Sequence, residues 1–260
     1  MAIDAPLFDA PMRKLRWGRR RISEFLWLLQ QYELSNPVKQ KHTRAEIIVE
    51  REKSPPDDLA LVLGDAIHNL RTTLDLLAAD LVRRNGGSVK GVYFPFATSA
   101  PELDDQIRSK KFHRAGEAAV QQLRGLAPYR GGNEALRGLH DLDIMDKHQL
   151  IIPAFQGFRM VNFRLNGPSG EMVGDVSGPG DGISINATPD DTLTWDSLQF
   201  TVVFGQGVPP VFLEKPVVNT LESLAELVEH VVESFRACPT DNVNEDSTNP
   251  NERSGEQKDQ

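Results

Sequence analysis

The sequence predicts an α+β protein: a helical bundle with a C-terminal antiparallel sheet and a final helix packing back on the bundle. Three observations lead there. Up to about residue 149, apolar residues recur every three or four positions, the period of a helix with one buried face. From 150 to about 214 the pattern becomes short β-prone runs separated by Gly, Pro, Asn and Asp turns. Helical spacing then returns over 217–237. With 260 residues, 39% of them hydrophobic and 25% charged, the chain is long enough to bury a sizeable core and ordinary in composition for a globular protein.

The elements follow in order. Residues 12–34 form a helix, since Leu15, Gly18, Ile22, Phe25, Leu29 and Tyr32 share one face, and Asn36-Pro37 ends it. Residues 44–52 mix β-branched and charged residues and read as a short strand. Ser54-Pro-Pro-Asp-Asp58 starts a second helix with a capping serine and first-turn acids. That helix, 57–84, carries the stripe Leu63, Ile67, Leu70, Leu74, Leu77 and Leu81, and Arg83-Arg84-Asn85-Gly86-Gly87 stops it. The segment Val92-Tyr-Phe-Pro-Phe96 wedges aromatics against the core. Shorter helices follow at 101–109 and 114–126, and another at 132–148. Strands are expected at LIIPAF, FRMVNFRL, DGISIN, LQFTVVF and VFL. The last helix, 217–237, opens with a capping box from Asn219 to Glu222. In terms of organisation, 1–11 is an extension, 12–149 the bundle, 150–237 the sheet with its helix, and 238–260 a polar, acidic, disordered tail.

The formal net charge is -8. The tail contributes -4 through six acids against Arg253 and Lys258, leaving the body at -4. Against it Arg13, Lys14, Arg16, Arg19, Arg20 and Arg21 form one basic cluster, read first as a solvated helix face and second as a phosphate-contacting patch for nucleic acid. No apolar run approaches the roughly 20 residues of a membrane span, and no secretory signal layout opens the chain. A single cysteine, Cys238, makes no internal disulfide, so the expected compartment is the cytoplasm. The absence of GxGxxG, GxxxxGK[ST] and GxSxG removes support for dinucleotide, P-loop and esterase chemistry.

The chemistry-bearing residues concentrate in LHDLDIMDKHQL, residues 139–150. On a helix at 100° per residue, Asp143 and Asp146 fall beside the core-facing Leu136 and Leu139. His140 and Lys147 flank them, and Asp141 and His148 point elsewhere. The helix 57–84 carries His68, Arg71 and Asp75 beside its leucine stripe. Buried unpaired charge costs several kcal/mol, so the expectation is that Arg71 and His68 face Asp143 and Asp146 across a helix interface, as one polar seam. A metal role is not favoured: His140 and His148 sit about 80° apart around the helix, and the HExxH spacing is missing. No metal or other cofactor is therefore expected. As an acid-base site, His68, Arg71, His140 and Lys147 would serve as catalytic groups on a phosphodiester, a histidine moving the proton and a cation stabilising developing charge. Arg108-Ser-Lys-Lys-Phe-His113 has the Arg-to-His spacing of HEPN-type nucleases, but in a short helix or loop.

Two motifs, Gly64-Asp-Ala-Ile-His-Asn-Leu-Arg-Thr-Thr-Leu-Asp-Leu-Leu-Ala78 and Leu139-His-Asp-Leu-Asp-Ile-Met-Asp-Lys-His-Gln-Leu150, together resemble a family of bacterial proteins without an established function, over about residues 10–237. The resemblance implies that the two helices act as one unit and carries no catalytic residue over. Gln149 stands where an arginine is expected in that family. Two functions follow as expectations: a cytoplasmic interaction or ligand-binding module whose seam is structural, or a metal-independent nuclease or phosphoester hydrolase using it. A homodimer through a sheet edge or the first helix is compatible with either.

Overall fold

The computed structural model describes residues 7–151, 153–180 and 182–239. The polar tail from 240 onward and residues 1–6 of the extension lie outside the described residues. Among those described, the chain forms six α-helices and seven strands.

Helix α1 (Asp9–Leu34) buries the face the periodicity selects: Leu15, Gly18, Ile22, Phe25, Leu29 and Tyr32. It begins three residues before the periodic stripe, because Asp80 accepts the Phe8 N–H at 2.8 Å and anchors the entry to the helix. Helix α2 (Asp58–Arg84) is the axis of the bundle, packing against α1, α5 (Glu134–His148) and α6 (Val217–Arg236). Its six-residue leucine and isoleucine stripe is fully buried, worth roughly 2 kcal/mol per side chain in gross transfer free energy. Gly18 of α1 permits close approach: a methyl there would stand 3.1 Å from Leu70. The short α3 (Leu103–Ser109) and α4 (Glu117–Leu126) close one side. Helix α6 returns to the bundle with Leu221, Leu224, Val228, Val232 and Phe235 buried.

Two helix starts differ from expectation. The cap of α2 is Asp57, and Ser54 lies upstream of it; α6 begins after Pro216, without a side-chain cap. Pro216 supplies a fixed φ, so the Asn219 to Glu222 pair falls inside the first turns.

The strands form two antiparallel sheets. In the first, β1 (Val38–His42), β2 (Glu46–Arg51) and β5 (Gly182–Asn186) run in the order β1-β2-β5. The expected strand 44–52 is β2; β1, its hairpin partner, carries no alternation and gave no signal. In the second, the 15-residue β3 (Pro153–Gly167) has β4 (Gly170–Pro179) along one edge and β6 (Thr192–Thr194) and β7 (Ser197–Phe204) along the other. LIIPAF and FRMVNFRL therefore contribute to one strand. VFL, 211–213, is a turn, because Pro209 and Pro210 precede it and the Phe212 N–H bonds back to the Pro209 carbonyl at 2.9 Å. Among the described residues no helix is long and apolar enough to cross a membrane.

Candidate functional site

Helices α2 and α5 bring the two motifs face to face. His68, half exposed, points Nδ1 at Asp143 Oδ1, 2.8 Å away, while Asp143 is buried at 6% side-chain exposure. Lys147, one turn along α5, reaches the other oxygen of Asp143 at 2.5 Å. The Asp143 carboxylate thus has a donor on each oxygen. With Nδ1 facing a carboxylate, that nitrogen carries the proton, and the remaining Nε2 sits 3.3 Å from Thr72 Oγ1.

Arg71 follows a different route from the expected one. Its guanidinium is 8% exposed and meets Asp75 at 2.8 Å, while its Nε donates to His140 Nδ1 at 3.1 Å. Asp75 in turn accepts the Phe94 N–H at 2.9 Å, pinning the aromatic segment to α2. Phe96 completes the arrangement: Arg71 lies 4.6 Å from its ring centre, and the His140 imidazole stacks on it at 4.4 Å, tilted by only 2°. Arg71 forms its ion pair within its own helix at i, i+4, with Nη1 close to Asp75 but not aligned as a hydrogen bond, and borrows a neutral acceptor from α5, so neither Asp143 nor Asp146 receives it.

The electrostatic consequence falls on His140. Burial first, and then the Arg71 and Arg137 charges, push its pKa down to about 3. An imidazole accepting from a guanidinium must be neutral at that nitrogen, so geometry and charge agree.

Asp146 is the loose end of the seam. Its carboxyl packs directly over Gly64 of α2, where any Cβ would fall inside contact distance. It accepts the backbone N–H of Ile151, and its pKa is raised, chiefly by burial. Oδ1 of Asp146 has no hydrogen-bond partner among the described residues. The expected neutralisation of both inward aspartates therefore holds for Asp143, through His68 and Lys147, and fails for Asp146.

Asp141 and His148, assigned to another side, do face away. Asp141 binds Arg137 at 2.6 Å and Arg130 at 3.5 Å. Both residues line a cavity of about 1030 Å³ between α5 and the 207–211 turn. Gly138 makes that turn possible, since a Cβ there would lie 2.6 Å from the Phe212 ring. Sequence reasoning missed Phe96, Thr72, Gly64 and the buried Arg137; for Arg137 the signal was its i, i+4 spacing to Asp141.

The remaining candidates resolve as follows. Arg108 closes α3 paired with Asp105, while His113 is exposed on the following turn. In the basic cluster Arg13 pairs with Asp9, Arg19 with Glu229 of α6, and Arg21 with Glu24, at 2.6–2.7 Å. Arg20 and Arg21 lie over the Trp17 ring. Half of that cluster is thereby neutralised in place. Among the described residues no three His, Cys, Asp or Glu side chains converge in a way that could hold a metal ion. Chemically, the seam offers one accessible acid-base group, His68 on its aspartate, beside the exposed Lys147. The α2 backbone N–H groups around the Thr72–His68–Asp143 alignment are spent in the helix, so a backbone oxyanion hole is not formed there and the nearby cation is Lys147. Comparison with protein-family models, with curated proteins and with solved structures gives no match to this chain.

Proposed function

We propose that this chain is a binding or interaction module whose His/Arg/Asp seam is a structural latch between α2 and α5. One observation carries the reading: two of the four candidate catalytic groups, Arg71 and His140, are committed to each other and to Phe96. Arg71 is buried and already neutralised by Asp75, so it is not free to meet a developing phosphate charge. His140 stays neutral through the physiological range, and so has no proton to give a leaving group near pH 7. The cavities of about 1030 and 630 Å³ lie elsewhere, and neither is lined by His68, Arg71, His140 or Lys147. A latch of this type fixes helix register through the contacts that cross between the helices, Asp143 with His68 and Arg71 with His140.

A second reading, the metal-independent phosphoester hydrolase, is favoured by one feature. His68 is 49% exposed, oriented by Asp143, and adjacent to a 54% exposed Lys147. The test is purified protein against labelled RNA, with His68→Ala and His140→Ala as comparisons. The module reading expects no cleavage above background. Cleavage that disappears in His68→Ala would establish the hydrolase instead.

A further inference from the structure

A second site stands apart from the seam. Where α1 ends, the left-handed Asn36 (φ 48°) turns the chain into β1, and Gln40 Nε2 of β1 donates to the Leu193 carbonyl of β6 at 3.2 Å. These contacts and the β6–β7 segment, whose two strands follow one another along the same edge of β3, border a cavity of about 630 Å³, lined among others by Glu33, Leu34, Trp195 and Asp196. That volume falls within the usual range of small-molecule sites.

The charge of the lining is one-sided. It contains two carboxylates, and among the described residues lining it there is no lysine, arginine or histidine. Glu33 is held in place because its Oε1 accepts the Phe200 N–H at 2.6 Å. Burial raises its pKa, opposed only by that hydrogen bond. A carboxylate that is partly desolvated and lacks an internal cation is stabilised by any cation that enters. The other wall is apolar: Trp195 packs partly against the core, and Leu34 is 76% exposed at the rim. A cavity lined by both an indole and carboxylates suits an organic cation, which can gain from both. A bare metal ion suits it less, since the two carboxylates have no third His, Cys, Asp or Glu and Asp196 already accepts from Asn162 at 3.0 Å.

We propose that this cavity binds a small organic cation, an amine or guanidinium, with its charge on Glu33 and its carbon body against Trp195 and Leu34. The cation is either a free metabolite or the side chain of a basic residue in a peptide. The proposal deepens the binding-module reading by naming a ligand class. It is read at Glu33, which the seam does not use, so its failure leaves the RNA test of the seam untouched.

The experiment titrates full-length protein with agmatine and phenethylammonium in one arm, and with short blocked peptides containing arginine or lysine in the other. Binding is followed by calorimetry and by the Trp195 indole N–H resonance. Glu33→Gln is the decisive variant, because the amide oxygen keeps the Phe200 hydrogen bond while the charge is lost; Trp195→Leu is the second. Binding is expected to weaken at least tenfold in Glu33→Gln and several-fold in Trp195→Leu, and to strengthen in the native protein from pH 4 to pH 7 as Glu33 ionises. Tighter binding of the peptides would identify a side-chain ligand, and tighter binding of the free amines a metabolite. No binding of any probe at millimolar concentration, or equal binding by native protein and Glu33→Gln, overturns the proposal.

Discussion

Arg71 donates its Nε–H to Nδ1 of His140 across the α2–α5 interface, a cation using a neutral imidazole as acceptor. The contact makes the protonation state of one helix a condition for seating the other. It also explains why two residue types common in catalysis sit together without a substrate-sized opening between them.

Removing Arg71 should be the most damaging single change in the seam. Arg71→Leu leaves Asp75 without its cation and His140 without its donor, and loss of one partner of a buried ion pair costs about 3–5 kcal/mol. Arg71→Lys should recover only part of this, because a lysine has no planar fork to serve Asp75, His140 and the Phe96 ring together. Urea unfolding of the two variants beside the native protein measures both. A loss below about 1 kcal/mol in Arg71→Leu would show that the latch contributes little.

Acid should weaken the latch through His140. Its folded pKa is near 3, against 6.5 for an unperturbed histidine, so between those values the unfolded chain binds the proton and the folded chain does not. Stability from this group therefore rises with pH through that window and falls on acidification. The slope is at most about 1.4 kcal/mol per pH unit. Relative to His140→Gln, the native protein should lose ground steadily from pH 6.5 to pH 4, as judged by unfolding midpoints at each pH.

Asp146 should behave with the opposite sign. Its folded pKa is raised, mainly by burial, so ionisation costs more in the folded state and the penalty is present above the unfolded value. Asp146→Asn keeps an acceptor for the Ile151 N–H and removes the charge. Stabilisation is expected at pH 7, because the amide removes a charge that burial penalises in the folded state. The gain should vanish below the unfolded carboxyl range, and thermal unfolding at pH 7 and pH 3 gives both values.

Gly64 and Asp146 form a steric pair that can be tested by a double-mutant cycle. Gly64→Ala drives a methyl into the Asp146 carboxyl and should cost about 1–3 kcal/mol, the usual range for overpacking. In an Asp146→Ala background the three atoms nearest that methyl are gone, so the cost should fall by at least about 0.5 kcal/mol, as expected for residues in contact. Additive costs would mean that the carboxyl swings aside freely.

Much of this architecture was legible because helical phase is a strong signal where one face is buried. The leucine stripe of α2 and the inward placing of Asp143 both follow from 100° steps along the chain. The sheet was harder to read. Gly157 resembles a strand break, yet it sits inside β3, where a Cβ would lie 2.6 Å from the Gly178 carbonyl of β4; the glycine admits the neighbouring strand. β4 itself is exposed along most of its length, so no alternation between core and solvent marks it. Of the two partners of Arg71, Asp75 was legible from its i, i+4 spacing, and the His140 imidazole was not. Charge complementarity points an arginine toward a carboxylate, and the choice of an imidazole depends on where the Phe96 ring holds His140.

The pairing of β2 with β5 sets Glu46 beside Asn186 and Glu50 beside Gly182. The N-terminal hairpin therefore gains its third strand only after helices α2 to α5 and the β3–β4 hairpin have been synthesised. Such long-range closure is entropically costly and slow to reach. During synthesis the outer edge of β2 stays open while most of the chain is made, a sheet edge that folding must protect. The charged residues Glu46, Glu50 and Arg51 of that strand are the kind that discourage an unwanted strand from docking there first.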